Sequence, residues 1–140
     1  MRYYLAKTDP GTYSAMQFRS DRRTVWDGVR NPQALRAIRE MRPGDQVFIY
    51  HSGGDAAIVA LATVISEPRA DPKDSRLAIV DLEYTGDLVP PVTFQEIKKS
   101  GEFTDFALVR QSRLSTMEAP KTFARWVLKR TKLQKLSEWP

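Results

Sequence analysis

Apolar and polar positions divide the chain into short strands and shorter helices. Residues 3–7, YYLAK, are aromatic and β-prone, and stop at the turn signal Thr8-Asp9-Pro10-Gly11. Residues 14–19 predict a brief helix with Ser14 as its cap. Asn31-Pro32 predicts a sharper helix start, an amide cap followed by a proline whose missing N–H is not needed in the first turn. Behind it Ala34, Leu35, Ile38 and Met41 share one face while Arg36 and Arg39 point elsewhere, until Arg42-Pro43-Gly44-Asp45 ends the run.

Three strands are predicted next, over residues 46–51, 57–66 and 77–85. The first two are apolar on both faces, as in a sheet that curls around a core with helices outside it. The third alternates, Val80, Leu82 and Tyr84 against Asp81 and Glu83. Ser52-Gly53-Gly54-Asp55 reads as a hairpin link and residues 68–75 as a polar, mobile loop. Val89-Pro90-Pro91-Val92 is excluded from a central strand, because two of its residues lack an amide donor. Thr93-Phe94-Gln95-Glu96 is a capping box for a short helix through residue 99. Residues 108–117, mixing apolar side chains with hydroxyls, read as a strand. Ala119-Pro120 opens a last helix, from about 120 to 136, that buries Phe123, Trp126, Val127 and Leu133. The expected architecture is α+β over one domain, residues 1–140, a strongly curved sheet or small barrel with about four short flanking helices.

Composition narrows the function classes. A chain of 140 residues, 41% hydrophobic and 28% charged, suits one globular domain with its own core. No apolar run approaches the roughly 18 residues that cross a bilayer, and the N-terminus lacks a secretory signal, so no membrane partner and a cytoplasmic location are expected. The absence of cysteine excludes disulfides and thiolate zinc sites, and one histidine, His51, makes no metal cluster. No metal, no cofactor and no catalytic set are therefore expected; neither GxGxxG nor GxxxxGK[ST] occurs. The net charge of +5 is unevenly spread. Residues 1–106 carry 14 Lys and Arg against 15 Asp and Glu, whereas residues 107–140 carry 8 against 2. Lys121, Arg125, Lys129 and Lys132 recur at helical spacing, a stripe suited either to a polyanion or to solvation.

Four segments mix aromatics, cations and hydroxyls beyond what a core requires: LAKTDP, VWDGVRN, FIYHSGG and LVRQSRLS. Trp26 is the sharpest case, standing before Asp27, Gly28, Val29, Arg30 and Asn31 with only Val25 as an apolar neighbour. It is either a core anchor in a loop or a platform with one face on a cavity, and the platform reading expects a partly accessible ring. Nucleic acids are bound by stacking on such rings, by polar contacts to base edges, and by cations or hydroxyls on phosphate. Taken singly, Trp26 as core, Asn31 as cap, Tyr50-His51 as a strand end and Arg110 and Arg113 as surface charge are ordinary. Together they point to a site.

The strings YYLAKTDP, WDGVRN, GDQVFIYHS, PVTFQEIK and LVRQSRLS, in this order, resemble the EVE domain family of the PUA-like superfamily. That resemblance implies a mixed, mostly antiparallel β pseudo-barrel with packed helices, and a non-enzymatic module binding RNA or DNA through a modified base. It implies a base pocket of Lys7, Thr8, Trp26, Gly28, Val29, Asn31, Tyr50, His51 and Ser52. In it Trp26 is a cage wall, Asn31 reads the base edge, and Lys7 and Thr8 line the entrance. It implies phosphate contacts from Arg30, Arg110, Ser112 and Arg113. Related YTH domains enclose a methyl group with a second tryptophan; residues 75–80 here hold none, Leu77 being nearest, so another modification, with cytosine a candidate, is implied. A runner-up reading, by similarity to ASCH-type relatives, is a hydrolase of modified nucleosides using Lys7 and Thr8 with Asp9 or Asp27. A third, an apolar-ligand or protein-interaction module, would bind without Arg110 or Arg113.

Overall fold

The computed structural model describes residues 1–135. Its centre is a single eight-stranded sheet. The strands are β1 (Tyr3–Thr8), β2 (Arg23–Trp26), β3 (Gln46–His51), β4 (Ala57–Val64), β5 (Arg69–Asp71), β6 (Asp74–Thr93), β7 (Thr116–Ala119) and β8 (Lys132–Lys135). The order is β2-β6-β4-β3-β1-β7, with β5 and β8 also pairing to β6. Among the described residues only β1 and β3 run parallel; every other pairing is antiparallel. Tyr4, Leu5, Val47, Phe48, Ile49, Ile58 and Leu82 are buried at its heart.

Five helices flank the sheet: α1 (Ala15–Asp21), α2 (Pro32–Glu40), α3 (Phe94–Ser100), α4 (Ala107–Arg110) and α5 (Lys121–Arg130). The first three start where local capping chemistry says. Ser14 accepts from the Gln17 N–H, Asn31 from the Gln33 and Ala34 N–H groups, and Thr93 and Glu96 form a reciprocal capping box. None of the helices is long and apolar enough to cross a membrane among the described residues.

Five expectations give way to pairings remote in sequence. Trp26 is not in a loop: it ends β2, opposite Val80 of β6. Residues 69–71, expected in a mobile loop, form β5 and fold back on β6. The Pro90-Pro91 stretch lies within β6 after all. The β4 ladder is irregular between its Ala60–Asp87 and Ile58–Val92 pairs, so the missing amide donors fall where no partner is waiting. Residues 108–117 are the end of α4, a turn and the start of β7 rather than one strand. The last helix stops at Arg130; Lys132–Lys135 pair with β6, and Leu136 lies outside the described residues. Gly86 permits that pairing, because a Cβ there would collide with the Gln134 carbonyl oxygen.

Candidate nucleic-acid interface

β1 and β3 run parallel and end together, bringing Lys7-Thr8 and Tyr50-His51 to one edge of the sheet. β2 ends nearby at Trp26, and the turn through Gly28, with φ of 76°, leads into α2. Between these ends opens a cleft of about 590 Å³, lined by Lys7, Thr8, Asp9, Tyr13, Trp26 and Arg30, with Thr12, Thr24, Val25, Asp27, Gly28, Val29 and Ser115 completing it. Such a volume lies within the usual range for small-ligand sites, about 300–1,000 Å³.

Trp26 is both anchor and wall. It lines the cleft yet is only 7% exposed, less accessible than a free platform requires. The reason is aromatic packing: the Tyr13 ring stands edge-on at 6.3 Å and the Phe18 ring lies tilted at 6.1 Å. Tyr13 is held in turn by its hydroxyl, which donates to Asp21 at 2.8 Å. Burial, foremost, pushes the Tyr13 phenol above its ordinary pKa.

Lys7 is placed by a backbone carbonyl. The Lys7 ammonium donates to the Ser112 carbonyl at 3.0 Å and sits 5.6 Å from the Tyr50 ring centroid. Burial lowers its pKa. The Lys7 backbone N–H donates to the Ser115 carbonyl at 2.7 Å, so the segment carrying Ser112 follows the cleft margin. The Thr8 hydroxyl donates to the Tyr13 carbonyl at 2.7 Å. Neither Lys7 nor Thr8 is partnered by Asp9 or Asp27, although both carboxylates line the cleft.

Other expected site residues lie beside the cleft. Asn31 spends its side-chain oxygen on the α2 cap. His51 Nε2 accepts from the Ala15 N–H at 3.0 Å, tying β3 to the start of α1, and burial lowers the ring's pKa. Ser52 bonds the Thr8 carbonyl through its N–H. His51 and Ser52 line a separate groove with Pro10, Gly53 and Gly54. Arg110 pairs with Asp105 at 3.2 Å on the surface, and Arg113 is exposed. Lys7, Thr8, Trp26, Gly28, Val29 and Arg30 therefore converge, whereas Asn31, Tyr50, His51, Ser52, Arg110, Ser112 and Arg113 form its support and surroundings. Tyr13, Thr24 and Ser115 escaped sequence reasoning; an aromatic following the DPG turn was the available signal for Tyr13. Among the described residues no cluster of three or more His, Cys, Asp or Glu is arranged to hold a metal ion.

The EVE domain family model matches residues 2–130. Thymocyte nuclear protein 1 of Danio rerio is 29% identical over 115 residues, covering 64% of this chain and 50% of that protein. The chain thus spans about half the length of this relative. A Rhodopseudomonas palustris protein solved by NMR superposes with a TM-score of 0.87 at 33% identity, covering 92% of each chain. Human THYN1, solved in complex with DNA containing 5-methylcytosine, superposes with a TM-score of 0.85 at 20% identity, covering 96% of this chain and 99% of that one. An ASCH protein of Zymomonas mobilis is far more distant, 9% identical with a TM-score of 0.58 over 94% of this chain and 100% of that one. These likenesses agree with the α+β, PUA-like architecture expected from the sequence.

Proposed function

The chain belongs to the EVE domain family, and from that premise we propose that its cleft binds a modified base, 5-methylcytosine being the first candidate, within a nucleic-acid strand. The observation that carries this reading is the cleft itself, where Trp26, edge-packed by Tyr13, meets Lys7 and Arg30 around an opening of about 590 Å³, ample for a base. A ring fixed by neighbouring rings needs no reordering when a base packs on it, so little of the contact energy is lost to entropy. Lys7, Thr8, Trp26, Gly28 and Val29 form the base pocket; Arg30 reaches phosphate. Tyr50 acts through Lys7, while Asn31, His51 and Ser52 hold the frame. Arg110, Ser112 and Arg113 take backbone phosphate along the margin. Human THYN1, of the same fold, is the relative solved with DNA containing 5-methylcytosine.

The contacts give a hydrolytic reading no support. The Thr8 proton is directed to a backbone carbonyl, and no carboxylate stands ready to accept it. Titration of matched single-stranded oligonucleotides, methylated and unmethylated at one cytosine, in DNA and RNA arms, tests the proposal. Tighter binding of a methylated strand is expected, with affinity falling as salt rises. Equal, purely salt-driven affinity for all strands would refute recognition of the modification.

A further inference from the structure

Arg30 lines the cleft and also begins a second depression. This second hollow, about 360 Å³, is lined by Arg30, Pro32, Leu35, Arg39, Asp74, Arg76 and Leu77. Arg39 and Leu77 lead onward into a third, about 340 Å³, whose lining includes Arg42, Glu67 and Arg69. The three hollows adjoin, Arg30 being common to the cleft and the second and Arg39 and Leu77 to the second and third, in a row that forms a trench beside α2 and the β5–β6 hairpin.

Five arginines border it. Three have acidic partners: Arg76 with Asp74 at 2.9 Å, Arg69 with Asp81 at 3.0 Å, and Arg42 with Glu67 at 3.7 Å. Arg30 and Arg39 are the surplus. Arg39 donates one guanidinium N–H to the Arg76 carbonyl at 2.8 Å, which aims it across the trench and leaves its charge uncompensated. The Asp74 carboxyl is held down to about 2, chiefly by hydrogen bonds from Arg76, the charge of Arg30 adding the least. Guanidinium forks suit phosphate oxygens, and exposed arginine pairs cost little to re-aim toward them.

We propose that this trench carries the phosphodiester backbone on one side of the bound base, so that one flank of the strand is gripped along α2 and the β5–β6 hairpin. The inference rests on the cleft reading above. It differs from the expectation raised by charge alone, which favours the C-terminal stripe. Lys121, Arg125 and Lys129 lie on the exposed face of α5, which starts just after Ala119. Ala119 pairs with Tyr3, at the opposite end of β1 from Lys7 and Thr8.

The test compares a trinucleotide centred on 5-methylcytosine with strands extended by several nucleotides on the 5′ side alone or the 3′ side alone. Extension on one side is expected to raise affinity and on the other to leave it nearly unchanged. Arg39→Gln keeps an amide donor for the Arg76 carbonyl and removes the charge. It should abolish most of the one-sided gain, make the slope of log K against log salt shallower by about 0.7 for a single strand, and leave trinucleotide affinity as it was. Arg39→Lys should retain the gain, and Lys129→Gln, removing one charge from α5, should not touch it. Equal gains from both flanks, a gain that survives Arg39→Gln, or an equal loss in Lys129→Gln would overturn the proposal. Failure of the cleft reading looks different: methylated and unmethylated strands bind alike while the one-sided gain still depends on Arg39.

Discussion

Replacing Trp26 separates its two roles. The side chain is almost wholly buried, packed against Tyr13 and Phe18 while walling the cleft. Removing about 200 Å² of aromatic surface from water at about 25 cal/mol/Å² is worth about 5 kcal/mol as an upper bound. Tryptophan-to-alanine changes in cores cost about 3–5 kcal/mol, so Trp26→Ala should lose that much stability. For a domain of this size a melting point falls about 4 °C per kcal/mol, giving a drop of about 12–20 °C. Most domains with 5–15 kcal/mol in hand remain folded at low temperature after such a loss. Affinity is therefore measured well below the melting point, after circular dichroism establishes a folded sample. With only 7% of its surface open, Trp26 offers a base contact at the low end of about 1–3 kcal/mol, and its loss should weaken binding of the methylated strand roughly 5-fold. Trp26→Phe should recover part of both quantities. A folded Trp26→Ala protein that binds the methylated strand with unchanged affinity would refute the stacking role and leave Trp26 a core residue alone.

Three further outcomes follow from contacts beside the cleft and at the β6–β8 pairing. His51 accepts from Ala15 in a half-buried place, and burial lowers its pKa. The unfolded chain therefore takes up that proton first. Stability should fall as pH drops through about 6.5 and level off below the folded-state value; thermal melts across that range should show it, and His51→Gln should flatten it. Asn31→Ser keeps a capping oxygen but removes the amide. Stability should stay within about 0.5 kcal/mol and affinity unchanged, whereas a clear loss of affinity would assign the amide to the base edge. Gly86→Ala would press a methyl group onto the β8 backbone. It should cost about 1–3 kcal/mol by overpacking and speed hydrogen exchange in residues 132–135.

What could be read from the sequence was what local chemistry decides. Ser14, Asn31-Pro32 and the Thr93–Glu96 box each fix a helix start through bonds made within a few residues, and all three starts are where those bonds put them. Partners distant in sequence were not legible. Thr131 ends the basic helix because Lys132–Lys135 find an edge of β6, not because the helical pattern fails there. Arg23–Trp26 becomes a strand only by meeting residues 80–83. The site divides the same way. Trp26 and its following turn were conspicuous as residues a core does not ask for, whereas Tyr13 and Ser115 enter the cleft through the packing of α1 and the β1 edge. The trench was unreadable as a charge pattern because its arginines come from two separate segments, residues 30, 39 and 42 and residues 69 and 76, which meet only in the folded chain.

β6 pairs in turn with β5, β2, β4 and β8, so one twenty-residue strand is common to four ladders. During synthesis this imposes a timetable. β2 has no partner until residue 83 has been made, the β4 ladder is incomplete until residue 93, and β1 waits for both β3 and the still later β7. The first half of the chain leaves the ribosome with its central strand edges open. Such unpaired edges invite misassociation, and pairings between remote segments close slowly. A nascent chain arrested before β6 should hold little stable sheet, while release of the finished chain should let the cleft, the trench and the C-terminal strand form together.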